Sequence, residues 1–300
     1  MKGTSMRIGY ACLTNEVPAT NIKRCIQRNA NKERLSDLIS WNLSSFEHIL
    51  KYNLENNIKL FRISSDIIPF GSSPVNTLSW WDMYSKKLCR LGEFIRDNGM
   101  RVSMHPGQYT VLNSSKEEIV EKAILDLEYH TRVLDSMELG KEHKIILHIG
   151  GVYNDKGNSI GRFISHFSAL DDSVKKRLVI ENDDKSYTIE DVLYIATKIG
   201  IPVVFDNLHH KINPSCLQKD QFSLIEECKK TWKPDDGFQK IHYSQQHPFK
   251  NPGAHSDTIE TDEFMLFYRK LNRKDIDIML EVKDKNKSAV KCIKCISLEN

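Results

Sequence analysis

Along the chain, short apolar runs that stop abruptly at a polar side chain alternate with longer stretches in which apolar residues recur every three or four positions. The clearest run is Leu178-Val179-Ile180, which breaks into Glu181-Asn182-Asp183-Asp184. A strand buried on both faces reads as a continuous apolar run and offers polar groups only at its C-terminal mouth. The same pattern appears in Ile145-Ile146-Leu147 before His148, Val203-Val204-Phe205 before Asp206, and Ile278-Met279-Leu280 before Glu281. Further strands are expected at 6–12, 58–63, 100–104 and 237–244. In the last of these, alternation places Lys240 and His242 on one face.

Helical periodicity fills the gaps. Helices are expected at 36–57, from a Ser79 cap to the Asn98-Gly99 stop, and at 117–139, 162–170, 187–198, 218–230 and 260–271, with a basic helix at the end. Eight strand-helix alternations argue for a parallel sheet closed into a (β/α)8 TIM barrel, an α/β fold occupying residues 1–300 as one domain. The rival is an open doubly wound sheet. That fold would show a glycine-rich phosphate turn after the first strand, and Gly9-Tyr10-Ala11-Cys12 is not one.

Composition narrows the class. With 40% apolar and 28% charged residues the chain is neither disordered nor membranous, and no apolar run approaches the roughly 18 residues of a spanning helix. A short polar start and seven cysteines without a secretion signal point to reduced thiols and a cytoplasmic location. The lone Cys292-Ile293-Lys294-Cys295 has no second pair and reads as ordinary thiols. A net charge of +3 neither requires nor excludes nucleic acid.

Barrel active sites lie at the C-terminal face, where residues distant in sequence converge. His105, His148, Glu181, Asp206, His209, His242, His255 and Glu281 all fall at or just after expected strand ends. One such histidine would be structural. Eight such groups together would repel and shift one another's pKa values unless cations held them. Imidazole with carboxylate and no nearby thiolate suits Zn2+, Mn2+ or Fe2+. Eight ligands exceed one tetrahedral site and serve two or three ions, and a pair about 3.5–4 Å apart suits phosphodiester hydrolysis.

Taken together, His105-Pro106-Gly107-Gln108-Tyr109, Glu181-Asn182-Asp183-Asp184, Asp206-Asn207-Leu208-His209-His210, Lys240-Ile241-His242 and Glu281-Val282-Lys283-Asp284-Lys285 resemble the ultraviolet damage endonuclease family, from about Arg7 to Lys285. A more distant similarity is to the endonuclease IV class of abasic-site nucleases. The resemblance implies a DNA repair nuclease that nicks damaged duplex immediately 5′ of pyrimidine dimers and 6-4 photoproducts, without ATP. It implies two or three divalent ions, with Mn2+ the first expectation and Zn2+ an alternative, and a monomer without a protein partner, associated with the nucleoid through DNA.

By the same resemblance, His105, His148 and Glu181 form one metal site, and Glu181 bridges to a second that uses Asp206 and Glu281. His209, His242 and His255 fill the remaining positions. Glu181, Lys240, His242 and Glu281 are the catalytic candidates, with Lys240 carboxylated. Gln108 and Tyr109 resemble probing wedges, Tyr10 lines the lesion pocket, and Thr14 and Lys283 contact DNA. Two departures stand out: Ser73, where some members carry histidine, and Thr14, where an asparagine is expected and Asn15 is adjacent. Trp80-Trp81 is either a stacking platform or packing. Lys229, Lys230 and Lys233 read as dipole complement, and Lys285 and Lys287 as candidates for backbone contact.

Three other readings remain at this point. An abasic-site endonuclease shares the barrel and the ligand types. A sugar isomerase or epimerase does too, although three surplus histidines exceed its needs. A non-catalytic DNA-binding module leaves the ligand ring unexplained.

Overall fold

The architecture is that of a computed structural model describing residues 6–216 and 219–299. Eight parallel strands close into a barrel in sequence order: β1 (Arg7–Ala11), β2 (Leu60–Ile63), β3 (Arg101–Met104), β4 (Lys144–His148), β5 (Leu178–Glu181), β6 (Val203–Asp206), β7 (Gln239–Tyr243) and β8 (Ile276–Leu280). The seam is β1 against β8, with Gly9 beside Met279. This is the (β/α)8 barrel that the pattern predicts. Among the described residues no helix is long and apolar enough to cross a membrane.

Most of the core lies between strands and helices. There Tyr10 meets Phe61 edge-on, and Phe61 stacks on Phe46 of the helix Lys32–Glu55. The barrel interior is separate and thinner. It holds two apolar clusters, Ala11-Leu60-Met279 and Ile146-Val179-Val204. Gly9 is required where β1 meets β2, because a Cβ there would lie 1.9 Å from the Leu60 carbonyl oxygen. Nearer the strand N-termini the interior is ionic. Buried Asp277 takes Arg101 at 2.7 Å and Arg7 at 3.2 Å, and Lys144 pairs with Asp236 at 2.5 Å.

Helix boundaries depart from expectation where capping outweighs periodicity. Asn31 accepts from the Arg34 amide and starts the first helix at Lys32 rather than at residue 36. Asp155 caps the helix Lys156–Ala169, six residues before the apolar pattern suggests. Ser79 makes no side-chain cap, and the expected helix breaks at Tyr84 into Trp80–Met83 and Ser85–Asp97. A Thr188/Asp191 capping box opens Ile189–Ile199, and Gly200 at φ 68° closes it. The helix expected from Gln218 is described over Gln221–Lys229, its expected first residue lying outside the described residues. A short helix not anticipated, Asn207–Ile212, starts directly on Asp206 and turns His209 back over the barrel mouth.

Candidate metal centre

Glu181, the last residue of β5, is buried at the centre of the mouth. Its Oε1 lies 2.7 Å from His105 Nε2 and 3.0 Å from His148 Nε2, and its Oε2 lies 2.6 Å from His242 Nδ1. Two ligand groups result, His105-His148-Glu181 and Glu181-Asp206-His242, with the potential ligand atoms in each within 4.8 Å of one another. Asp206 presents Oδ2 3.9 Å from His242 Nδ1 and 3.7 Å from His209 Nδ1. Glu281 lies 3.4 Å from His242 Nδ1, and His255 Nε2 is 3.8 Å from Glu281. All eight expected ligands therefore gather at one mouth. The second group differs from expectation in its membership, since His242 rather than Glu281 completes it.

Glu281 is drawn off by a residue not anticipated. Arg62, 6% exposed in the middle of β2, sits 2.6 Å from Glu281 Oε1, and its Nη2 lies 2.8 Å from His242 Nε2. An arginine inside Leu60-Phe61-Arg62-Ile63 is the signal, because a charge in an otherwise apolar strand must find a partner within the barrel. Asn182 was also missed. Fully buried, it donates to the Asp206 carbonyl at 3.0 Å and accepts from the Asp206 amide at 2.9 Å, holding the ends of β5 and β6 together.

Backbone carbonyls orient two of the histidines. His105 Nδ1 donates to the Pro106 carbonyl at 2.9 Å while its Nε2 lies 2.7 Å from Glu181 Oε1, and burial pushes this imidazole's pKa down. His209 Nδ1 donates to the Asn182 carbonyl at 2.9 Å, leaving Nε2 free. Carbonyl-anchored imidazoles are how metal-ligating histidines are oriented. Arg62 can only donate, so His242 Nε2 accepts from it. Glu181 Oε2 and Asp206 Oδ2 are buried without a hydrogen-bond partner, and carboxylates left so beside imidazoles suit divalent cations.

The charges respond accordingly. Burial pushes the Glu181 carboxyl up, but His148, His242 and His105 outweigh it and hold the pKa well below the usual carboxylate range. Burial pushes His209 down, yet Asp206, Glu181 and Glu281 raise it to about 9. For Asp206 burial prevails, and its pKa is raised.

Lys240 shares the inward face with His242 and is fully buried, but its Nζ makes no hydrogen bond. Burial, then Arg101, push this amine's pKa well below its ordinary value. At the rim, Gln108 and Tyr109 are exposed, Tyr109 to 73%. Lys283 is exposed and paired with Asp257 at 2.9 Å.

Tyr10 is a correction. It is fully buried on the outer side of β1, and its hydroxyl donates to Asn53 at 2.8 Å and lies 2.7 Å from Thr14 Oγ1. The alternation that turns Gly9 and Ala11 inward sends Tyr10 under the helices, so it lines no open pocket and occupies the Thr14 hydroxyl. Trp80 resolves to packing, buried against Trp81 and Tyr129. Lys287 pairs with Glu16 at 2.5 Å. The seven cysteines are unpaired.

A parallel eight-strand barrel whose strand ends bring buried imidazoles and carboxylates to one mouth defines a class, barrel enzymes with a cluster able to hold divalent ions. Within that class, the family model for UV-endonuclease UvdE matches residues 6–299, and the chain belongs to this family of phosphodiester-cleaving enzymes. The UV DNA damage endonuclease of Clostridium perfringens (strain 13 / Type A) is 46% identical over 292 residues, covering 96% of this chain and 70% of that protein. The crystal structure of SacUVDE superposes with a TM-score of 0.93 at 41% identity, covering 98% of this chain and 99% of the other. Endonuclease IV from Thermus thermophilus shares the fold, with a TM-score of 0.57 at 12% identity over 84% of this chain and 94% of its own.

Proposed function

We propose that this protein incises duplex DNA immediately 5′ of ultraviolet photolesions, pyrimidine dimers and 6-4 photoproducts, in a metal-dependent reaction that needs no ATP. The observation behind this reading is Glu181, one buried carboxylate facing three imidazoles and shared by two ligand groups. His105, His148 and Glu181 would hold one ion, and Glu181, Asp206 and His242 a second. Glu281, His255 and His209 would remain for a third. When bound, such ions supply an activated water and neutralise the charge on the cleaved phosphodiester. Mn2+ is the first ion to test and Zn2+ the second.

The chain's own residues prepare that site. Carbonyl bonds from Pro106 and Asn182 orient His105 and His209 before substrate arrives. Arg62 keeps Glu281 ionised and in place. Gln108 and Tyr109 stand free at the rim, where a wedge reads how readily a damaged stack opens rather than its sequence. The unpartnered Lys240 amine, its pKa pushed well down by burial and then by Arg101, suits carboxylation, which would place an anion among those cations. The reading further takes residues 1–300 as one domain, acting as a monomer in the cytoplasm.

The test is nicking of a duplex with one defined thymine dimer in Mn2+, against undamaged and abasic duplexes, with Glu181→Gln as control. Incision 5′ of the dimer that vanishes in the control is the expected result. Cutting confined to the abasic duplex would replace this reading with an endonuclease IV type of activity, and full activity in Glu181→Gln would remove the cluster from the reaction.

A further inference from the structure

Phe249 is 91% exposed, more than any other large apolar side chain among the described residues. A single exposed ring is common on a protein surface, so what sets Phe249 apart is the segment that carries it. The segment that bears it is not a loose loop. The Gln246 amide donates to the carbonyls of His247 at 2.9 Å and Asn251 at 3.1 Å, while its oxygen accepts from the Gly253 amide at 2.8 Å. The His247 amide bonds the Ala254 carbonyl at 2.7 Å, and an antiparallel bridge joins Gln246 to His255. The Phe249 amide itself donates to His247 Nδ1 at 3.1 Å. The backbone under the exposed ring is therefore pinned on both sides.

The same segment is tied to the metal face. With Nδ1 accepting, His247 donates from Nε2 to Asp257 at 3.2 Å, and Asp257 also receives Lys283 at 2.9 Å. The backbone of Lys283 and Asp284, two and three residues beyond Glu281, bonds the carbonyls of Ser256 and Asp257. His255, at the base of the segment, faces Glu281. Lys250, the residue after Phe249, and Lys283 flank the one carboxylate of Asp257, so two ammonium groups meet one anion at this segment. Finally, the segment follows β7 and Tyr109 follows β3. In a closed ring of eight strands these positions are diametrically opposite, with the ligand cluster between them.

We propose that residues 245–254 form a rigid finger that stacks Phe249 on a nucleobase of duplex DNA, making it a second probing side chain on the rim opposite Tyr109. Base-aromatic stacking tolerates any sequence, since every base has a π-face, and the adjacent lysines meet phosphate. The finger is preformed, so little conformational freedom is lost when it engages. This inference rests on the reading that the metal face receives duplex DNA.

The test compares the metal-loaded protein with Phe249→Ala and Phe249→Trp. Because the ring touches little of the protein, both variants should fold as the parent does. Incision of the dimer duplex should show KM about tenfold higher in Phe249→Ala, equivalent to about 1.4 kcal/mol, with kcat within about twofold, and Phe249→Trp should restore KM. Duplex affinity by fluorescence anisotropy should weaken to the same extent. Unchanged KM and unchanged affinity in Phe249→Ala would overturn the finger. If the parent protein binds duplex but fails to cut at the dimer, while Phe249→Ala still weakens binding, the lesion reading fails and the finger stands.

Discussion

Arg62→Met removes a buried guanidinium and leaves Glu281 without its principal counter-charge. The side chains of both residues are mostly buried, 7% and 13% exposed, and stand 2.6 Å apart. Breaking a buried pair by deleting one partner costs about 3–5 kcal/mol, because the surviving charge stays desolvated. For 300 residues, an unfolding entropy of about 2.1 cal/mol/K per residue gives about 0.6 kcal/mol per degree. The metal-stripped variant should therefore melt about 5–8 °C lower than the parent at pH 7 by calorimetry.

The sign of the pH dependence provides a second readout. Burial pushes the Glu281 carboxyl up, but Arg62 and then His242 hold it far below the ordinary range. A carboxylate depressed in the folded state contributes stability above its unfolded pKa of about 4.3, and loses it as pH falls toward the folded value. The gap between parent and variant should thus be full at neutral pH and shrink below about pH 4. A melting change under about 2 °C, or a gap that widens on acidification, would refute the argument that this pair holds the base of the site.

Other expectations are open to simple measurements. Asn42 is fully buried, accepting from the Lys23 amide at 2.7 Å and donating to the carbonyls of Lys23 at 2.8 Å and Asp66 at 3.1 Å. Asn42→Ala should cost about 2–3 kcal/mol in urea unfolding and speed proteolysis within residues 13–31; an unchanged midpoint would show that water replaces these bonds. Carbon-13 bicarbonate should give a carbamate resonance that disappears in Lys240→Met while the fold is retained, and an identical spectrum in both proteins would remove the carboxylation proposal. Incision by Lys240→Met at the parent rate would remove Lys240 from the reaction.

The barrel was legible because its signal is redundant. Eight apolar runs with eight helical stretches leave few ways to close a sheet, and an error in one boundary does not alter the topology. The residues that gather at the mouth were legible for a related reason, since a strand buried on both faces tolerates polar side chains only at its end. Pairwise chemistry inside the mouth was less accessible. That Arg62 would take Glu281 away from the second ligand group depends on barrel stagger, which no local pattern encodes. Tyr10 misled because an aromatic near a strand end reads the same whether it faces the mouth or the helices. The register between Gly9 and Leu60 decides which.

The ligand cluster draws on β3, β4, β5, β6, β7 and the residue following β8, from His105 to Glu281. No contiguous piece of the chain shorter than that span contains the set, and the β1–β8 seam is the last pairing that a growing chain can make. Contacts so distant in sequence form late in folding. A half-synthesised or partly unfolded molecule thus lacks the assembled cluster, which exists only once the ring has shut.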